Sequence, residues 1–243
     1  MIKLLHGDCL ELMKDIPDKS IDMILCDLPY GTTACRWDSI IPFEQLWEQY
    51  NRVIKDNGAI ALFGSEPFAS RLRMSCMKYY RYDWVWCKPK GSGFFNAKKM
   101  PLKNHETISI FYKTMPTYNP QMTTGRPYKV RQGYVGEYLS QSKSNNPIVT
   151  VNNGVRYPVS VLNFKIDTGL HPTQKPVALL EYLIKTYTTE GETVLDNCMG
   201  SGSTGIACIN TKRNFIGIEK DDKYFEIAKS RIEKAQQDVA PKV

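Results

Sequence analysis

The glycine-rich stretch from Thr193 to Gly205 constrains the fold of this chain more than any other feature. It begins with a short apolar strand, and its glycines then follow the G-x-G-x-x-G pattern at Gly200, Gly202 and Gly205. That pattern lets a backbone turn sharply beneath a nucleotide and enter a helix. A second apolar strand, 215–218, ends on Glu219, and a carboxylate there can accept hydrogen bonds from ribose hydroxyls. The stretch therefore predicts half of a nucleotide-binding βαβ unit.

The late position of this stretch restricts the fold further. Only 38 residues follow Gly205, which is enough for a helix, a strand and one last helix. An open doubly wound sheet needs about five or more strands, so the others must come from earlier in the chain. A NAD dehydrogenase usually begins with its glycine turn, so the late turn here argues against that class of protein. We therefore expect an α/β protein with a circularly permuted, Rossmann-like sheet.

Composition bounds the class of protein. A length of 243 residues suits one domain with an insertion, and 42% hydrophobic with 23% charged residues is ordinary for a soluble protein. Neither a run of about 18 apolar residues nor a signal peptide is visible, so we expect a cytoplasmic protein without a membrane partner. The seven cysteines show no C-x-x-C spacing and only three histidines occur, which argues against a metal site.

Positive charge is concentrated in the middle of the chain. Residues 70–131 carry 13 Lys and Arg against 2 Asp and Glu, whereas 1–69 carry 6 against 11 and 132–243 carry 13 against 12. A solvated face usually mixes its signs. The one-sided segment therefore favours a polyanionic partner over an ordinary basic surface.

A second candidate site follows the apolar run 21–26, which reads as a strand buried on both faces of a parallel sheet. The run ends at Asp27-Leu28-Pro29-Tyr30-Gly31. A carboxylate, a proline-fixed turn and an aromatic ring thus meet at the carboxyl end of a strand, where open α/β sheets place their ligands. A polar strand end with an ordinary turn is the alternative, since Asp, Pro and Gly are common turn residues.

Elsewhere the hydrophobic periodicity alternates between helices and strands. We predict a strand at 2–5, a helix at 9–14 capped by Asp8, a helix from Phe43 ended by Asn57-Gly58, a strand at 59–63, a helix at 67–77, strands at 82–87 and 107–112, and a helix from Val177 ended by Gly191.

A basic loop at 88–99 is predicted between the last two of these strands. Cations interleaved with aromatic rings suit phosphates and unstacked bases. The candidate nucleic-acid contacts in this loop are Lys88, Lys90, Phe94, Phe95, Asn96, Lys98 and Lys99. Alternatively, the two phenylalanines anchor the loop to the core.

The stretch 113–168 loses periodicity and collects Gly, Pro, Asn, Ser and Tyr, with Arg126 and Arg131 among its cations. Its apolar content favours a small irregular recognition region over a disordered linker. Order returns at 171–176, His-Pro-Thr-Gln-Lys-Pro. Pro176 in the first turn of the next helix leaves amides free, and with Lys175 they form a candidate carboxylate site.

Four motifs in this order resemble one family: Asp27 to Tyr30, His171 to Pro176, Asp196 to Gly205, and Ile216 to Glu219. The chain resembles the amino-group DNA methyltransferases, and more narrowly their permuted β class. The resemblance covers nearly everything outside 113–168. It implies a catalytic half at 1–112, a target-recognition region at 113–168 and a cofactor-binding half at 169–243. It also implies S-adenosylmethionine as the cofactor and double-stranded DNA as the substrate, and it leaves room for a homodimer and a cognate restriction enzyme.

The resemblance assigns roles to residues. Asp27 and the carbonyl of Leu28 would accept the target amino group, Pro29 would fix that carbonyl, and Tyr30 would stack on the flipped base. The cofactor residues would be Asp8 near the adenine, Glu219 on the ribose, Thr173 and Lys175 on the carboxylate, and Asp196, Cys198, Met199, Gly200, Ser201 and Gly202 around the methionine part. Leu28 and Cys198 depart from the family pattern, which usually has proline and phenylalanine there.

Three functions follow from these motifs. The acidic Asp27 favours methylation of adenine N6, because relatives that act on cytosine N4 more often carry Ser at that place. Methylation of cytosine N4 or of RNA by the same machinery is the second. A nucleic-acid-binding protein that has lost catalysis is the third, and Asp27, Pro29, Tyr30 and Glu219 argue against it.

Overall fold

The computed structural model describes residues 1–31, 39–132, 148–167 and 174–239. Two compact units are formed, one by Met1–Asn119 with Ser160–Val243 and the other by Pro120–Val159.

Twelve strands occur within the described residues. They are β1 Ile2–His6, β2 Ile21–Cys26, β3 Ile54–Gly64, β4 Tyr80–Ser92, β5 Lys103–Phe111, β6 Thr123–Thr124, β7 Tyr128–Gln132, β8 Ile148–Asn152, β9 Val155–Arg156, β10 Val161–Asn163, β11 Thr193–Asp196 and β12 Asn214–Glu219.

The described helices are α1 Cys9–Leu12, α2 Phe43–Val53, α3 Phe68–Ser75, α4 Val177–Tyr187, α5 Ser203–Asn210 and α6 Asp222–Val239, with short 3₁₀ turns at Met13–Asp15 and Phe94–Asn96.

The first unit is built on one eight-stranded sheet in the order β1-β12-β11-β2-β3-β5-β4-β10. Neighbouring strands are parallel except where β5 runs antiparallel to both β3 and β4. Strands β11 and β2 are adjacent, and the chain moves outward from them in opposite directions, so the switch point lies between them. The strand order confirms the permuted, Rossmann-like α/β fold expected from the late glycine turn.

Helices cover both faces of this sheet. Buried side chains of α4, α5 and α6 pack on one face, and those of α1, α2 and α3 pack on the other. Successive residues of β3 alternate between the two cores: Ala59, Ala61 and Phe63 face the first, while Ile60 and Leu62 face the second. The continuous apolar runs of the central strands follow from this two-sided burial.

Two predicted element ends are wrong. Helix α2 ends at Val53, and Asn57-Gly58 lies inside β3, where the pairing with β2 shifts between Ile21 and Met23. Gly58 is required there, because a Cβ would lie 2.9 Å from the Asp22 carbonyl. Helix α4 ends at Tyr187, before Gly191.

The predicted basic loop at 88–99 is largely a hairpin. Residues 88–92 continue β4, Phe94–Asn96 form a 3₁₀ turn, and Ser92 pairs with Lys103 of β5. Because β4 is parallel to β3, this ribbon extends from the edge at which β2 and β3 have their carboxyl ends. Lysines that look like loop residues in the sequence are therefore carried on paired strands.

The second unit holds two short antiparallel pairs, β6 with β9 and β7 with β8. Arg156 joins them by donating to the Asn152 side chain and to the Arg126 carbonyl, with its guanidinium 4.6 Å from the Tyr128 ring centroid. This unit is narrower than the expected region 113–168. Val161–Asn163 pairs with β4 in the main sheet, so placing all of 113–168 outside the sheet is wrong.

Among the residues that the structure describes, no helix is both long enough and apolar enough to cross a membrane.

Candidate active site

A cavity of about 550 Å³ opens at the carboxyl edge of the main sheet. The residues that follow β1, β2, β11 and β12 all line it, which places it at the switch point between β11 and β2. Twelve of the candidate residues line the cavity: Asp8, Asp27, Leu28, Pro29, Tyr30, Lys175, Asp196, Cys198, Met199, Gly200, Ser201 and Glu219. The sheet thus gathers residues that are up to 211 positions apart, counted from Asp8 to Glu219.

Asp27 and Tyr30 are joined by a hydrogen bond at the end of β2. The Tyr30 hydroxyl donates to Oδ1 of Asp27 at 2.6 Å, and its ring lies 4.9 Å from the ring of Phe68. Burial, and then the Asp27 carboxylate, raise the pKa of Tyr30, so its hydroxyl stays neutral and keeps donating. The side chain of Leu28 is buried in the core between them. The carboxylate is therefore held in one orientation.

Lys175 lies beside two carboxylates of the protein. Its Nζ donates to Oδ2 of Asp27 and lies 3.4 Å from Oε2 of Glu106, so it pairs with protein carboxylates. The amide of Val177 at the start of α4 is bonded to Asp167 at 3.0 Å. Lys175 and the amide of Val177 are thus bonded to groups of this chain. The expectation that Lys175 and free helix amides form a carboxylate site stays a prediction.

Glu106 is a cavity residue that sequence reasoning missed. It stands on β5, lines the cavity and accepts hydrogen bonds from Lys88. Burial raises its pKa, but Lys175 and Lys88 outweigh burial and leave the pKa below its ordinary value. A signal existed, since Glu106 is one of only two acidic residues in 70–131. Lys88 is paired with this carboxylate, and its assignment to phosphate contact stays a prediction.

The glycine turn is tied to Glu219 by backbone amides. Gly200 donates to Oε2 of Glu219 at 2.9 Å, and the amides of Lys220 and Asp221 donate to Oε1 at 2.9 and 2.8 Å. A carboxylate has about four acceptor sites, so one on Oε2 remains for another donor. Gly200 and Gly202 have φ of 52° and 79°, the left-handed region that glycine adopts most readily.

Asp196 and its neighbours form the floor of the cavity. Asp196 accepts from the hydroxyl of Thr204 at 2.6 Å and the amide of Cys198 at 3.1 Å, and burial raises its pKa to about 6. Asn197 accepts from the Tyr50 hydroxyl at 2.6 Å. Cys198 stands where the family pattern has phenylalanine. The hydrogen bond that its backbone amide donates to Asp196 fixes this part of the turn.

Two further candidates, Asp8 and Ser201, lie at the rim of the cavity. Asp8 caps α1 by accepting from Leu10 at 3.0 Å, and its other oxygen accepts from Lys220 at 3.0 Å. Ser201 is bonded through its hydroxyl to Arg231 at 2.9 Å. Gly202 does not line the cavity, because it caps α5 and packs beneath it against Ala228.

The remaining candidates for nucleic-acid contact lie outside the cavity. Lys90, Asn96, Lys98 and Lys99 are exposed on the hairpin. Phe94 and Phe95 are 78% and 103% exposed, so the alternative in which they anchor a loop to the core is wrong.

The other two contact candidates are arginines near the second unit's strands. Arg126 is exposed there. Thr173 and the side chain of Arg131 lie outside the described residues.

The fold and the cavity at its switch point are those of the S-adenosylmethionine-dependent methyltransferases. Solved S-adenosylmethionine methyltransferases superimpose on nearly the whole chain. The M1.HpyAVI-SAM complex matches with a TM-score of 0.67 at 27% identity, covering 96% of this chain and 99% of that one. The cytosine-N4-specific PvuII DNA methyltransferase matches with a TM-score of 0.68 over 97% and 91%. At 15% identity the latter supports the fold alone.

Sequence comparison gives the family. The model of the N6/N4 DNA methylases matches residues 21–230, and the chain belongs to that family. The type II methyltransferase M.HpaI of Haemophilus parainfluenzae is 28% identical over 246 aligned positions, which cover 95% of this chain and 74% of that protein.

Proposed function

We propose that this protein methylates N6 of adenine in double-stranded DNA, using S-adenosylmethionine and a base flipped out of the duplex. The observation that carries the proposal is a single cavity that joins Asp27, at the end of β2, to the glycine turn and Glu219. An acceptor for an amino group and a nucleotide-type turn thus share one space. Members of the family act on adenine N6 or cytosine N4, and the acidic residue at position 27 favours adenine.

The cavity suits S-adenosylmethionine. Its volume lies inside the range of about 300–1,000 Å³ that small-molecule sites occupy. A Cβ on Gly200 would meet no atom within 4 Å, so the turn leaves open space there. Glu219 keeps an acceptor site for a ribose hydroxyl, and Asp8 stands on the rim for the adenine. When bound, S-adenosylmethionine supplies an electrophilic methyl group on a sulfonium.

The residues after β2 would prepare the target nitrogen. An exocyclic amino group is a poor nucleophile because its lone pair is delocalised into the ring. If Asp27 and the Leu28 carbonyl each accept one N–H, the nitrogen becomes more tetrahedral and its lone pair is directed toward the methyl donor. Pro29 keeps the backbone extended at Leu28. One face of Tyr30 is packed on Phe68, and the base would stack on the other.

The substrate is proposed to be duplex DNA because cations and rings are exposed together on the hairpin. A base inside a duplex cannot reach a cavity at the sheet edge, so flipping is part of the proposal. The segment Pro120–Val159, with its scattered cations, is proposed as the target-recognition region.

The decisive experiment identifies the methylated nucleoside. Duplex DNA is incubated with the protein and methyl-labelled S-adenosylmethionine, digested to nucleosides and separated by chromatography. We expect the label in N6-methyladenine. Label in N4-methylcytosine would support methylation of cytosine N4 instead. Label that appears only with RNA would show that the substrate is RNA and not DNA. Cofactor binding without any transfer would support a binding protein.

A further inference from the structure

Four charged side chains form an alternating row that begins at the proposed catalytic carboxylate: Asp27, Lys175, Glu106 and Lys88. Lys175 donates to Oδ2 of Asp27 and lies 3.4 Å from Oε2 of Glu106, while Lys88 donates to Oε1 of Glu106. Asp27 directly follows β2, Glu106 lies on β5, Lys88 lies on β4, and Lys175 lies two positions before α4. Two negative and two positive charges make the row neutral, and we call it the charge row.

The inner members of the charge row are buried. The side chains of Lys175 and Glu106 are 9% and 13% exposed. Both lysines lie over aromatic rings, with Lys175 Nζ 5.1 Å from the centroid of Phe63 and Lys88 Nζ 4.8 Å from that of Trp86. A buried charge is tolerated only when it is paired, so each member needs its neighbours. Lys175 is therefore fixed in place.

Asp27 is thus held from two sides, by the Tyr30 hydroxyl on Oδ1 and by Lys175 on Oδ2. We infer that Lys175 is a positioning residue for the proposed methyl transfer, keeping Asp27 ionised and oriented toward the target amino group, and that Glu106 is the counter-charge that retains Lys175 there. The inference rests on the proposed function. It replaces the role in binding the cofactor carboxylate that the sequence predicts for Lys175.

The charge row makes opposite predictions for its two inner members. Without Lys175, the carboxylates of Asp27 and Glu106 lose the cation that lies between them, and only Lys88 still offsets their charge. Two neighbouring carboxylates favour uptake of a proton by the pair. The pair in the variant would therefore take up a proton more readily than the neutral charge row of the native protein does. Without the Glu106 charge, Lys175 has a single carboxylate partner and no second carboxylate competes for it, so proton uptake by the row is less favourable than in the native protein.

Lys88, the outer lysine of the charge row, stays the same in every variant, and so do the titratable groups near the row. These are Tyr30 on the turn after β2, Asp196 on β11 and Cys26 on β2. Asp196 itself titrates near pH 6, since burial raises its pKa to about 6. The pH of the acid limb is therefore compared between variants that are measured over the same pH range. Its absolute value in a single variant is not interpreted, because Asp196 contributes to it.

The test uses Lys175→Met, Glu106→Gln and the double variant. Single-turnover methylation of one DNA duplex is followed at saturating cofactor from acid to alkaline pH, and S-adenosylmethionine affinity is measured by calorimetry. Lys55→Met is the matched control, because it breaks a lysine pair with Asp22, whose side chain is 11% exposed, near the opposite end of β2. Thermal unfolding checks that each variant folds.

For Lys175→Met we expect cofactor affinity within about threefold of wild type, and methylation slowed about 100-fold at neutral pH, as when one preorganised polar contact is lost. The acid limb of its rate profile should rise by about one pH unit or more. Glu106→Gln should move the limb down. The double variant should recover at least about tenfold over Lys175→Met, since the facing carboxylate is gone.

Three results overturn the inference while the wild-type protein methylates DNA. They are an unchanged acid limb in Lys175→Met, a shift of the same sign in both single variants, and a loss of cofactor affinity above about tenfold that leaves the rate at saturation intact. If Lys175→Met does not fold, the downward shift in Glu106→Gln decides alone. Wild-type protein that transfers no methyl group instead refutes the proposed function.

Discussion

Asp27 and Glu219 end strands on opposite sides of the switch point, and their contacts predict separable defects. In the proposed mechanism, Asp27→Ala removes an acceptor that is used only when the target amino group is present. Cofactor affinity should stay within about threefold, while the methylation step slows by at least about 100-fold. Calorimetry and single-turnover methylation of one duplex measure the two effects. A wild-type methylation rate in Asp27→Ala would show that Asp27 is not a catalytic residue.

Glu219→Ala should produce the opposite pattern. It removes the proposed ribose acceptor and also the partner of three amides, so S-adenosylmethionine binding should weaken by about 1–3 kcal/mol. Much of the maximal rate should return at saturating cofactor. Glu219→Gln is the matched variant, because its remaining carbonyl still accepts hydrogen bonds and the loss should be smaller. Cofactor affinity unchanged in Glu219→Ala would exclude the ribose contact.

Asp196 should make stability depend on pH. Its pKa is raised from 3.8 to about 6 by burial, so the folded protein holds this proton more tightly than the unfolded chain does. The stability is fully present below about pH 4 and is lost as pH rises through about 6, a change of about 3 kcal/mol. Urea unfolding at several pH values checks this. Relative to wild type, Asp196→Asn should gain stability between pH 4 and 7, and a constant difference would contradict the shift.

At the residue scale, sequence patterns located the strand-end residues but not their partners. Asp27, Asp196 and Glu219 follow apolar runs, and the carboxyl edge of a parallel sheet is where such residues meet. The pairing of Lys175 with Asp27 joins positions 148 residues apart, so local spacing carries no information about it. Glu106 was missed for the same reason, because its importance comes from two lysines that only the folded sheet brings to it.

At the scale of elements, buried strands and amphipathic helices were predicted well, whereas their ends were not. The dipeptide Asn57-Gly58 is typical of a helix end, yet pairing with β2 draws it into β3. Tertiary pairing outweighs local turn preference there. The hairpin was read as a loop because its strands beyond Cys87 carry Lys, Pro and Gly, and only the partner strand Lys103–Phe111 explains why they are extended.

The hairpin should provide part of the attraction for DNA. Lys90, Lys98 and Lys99 are exposed on it, and 88–103 contains no acidic residue. Replacing each with alanine should weaken binding on all sequences and lower the slope of log affinity against log salt by about one. Fluorescence titrations at several salt concentrations measure the slope.

Lys212→Ala provides the control for the hairpin variants. This exposed lysine precedes β12, at the edge of the sheet opposite the cavity, and its replacement should leave the slope unchanged. Equal changes in slope for the hairpin variants and for Lys212→Ala would remove the assignment of the hairpin to phosphate contact.

At the scale of the whole molecule, the chain order of the motifs predicted the permuted fold. Only one strand directly precedes the glycine turn and one follows it, so the other strands of the sheet must come from earlier in the chain. The limits of the second unit did not follow from composition. Polar, aperiodic sequence runs from 113 to 168, but Lys113 to Asn119 and Ser160 to Asp167 belong to the first unit. Val161–Asn163 is too short and too mixed to be recognised as a strand without β4 beside it.

These limits define an exchange that tests the division of labour in the protein. Both junctions are anchored in the first unit, since the amide of Asn119 donates to the Thr186 carbonyl and the Ser160 carbonyl accepts from Val85, each at 2.8 Å. Replacing Pro120–Val159 with the corresponding segment of a family member of different specificity should therefore leave the sheet intact. The sequence methylated should change, while S-adenosylmethionine affinity stays within about threefold, because none of the segment's described residues, 120–132 and 148–159, lines the cavity.

The wider exchange of 113–168 is the control for that experiment. It removes β10 and the bond of Trp86 to the Phe164 carbonyl, so it should lower stability and disturb the first unit. Sequencing of methylated sites, cofactor titration and thermal unfolding distinguish the two chimaeras. If the narrow exchange abolished cofactor binding, Pro120–Val159 would be part of the methyltransferase core. If it bound cofactor and methylated the original sequence, recognition would have to come from the rest of the chain, and the hairpin with its exposed rings would be the first place to look.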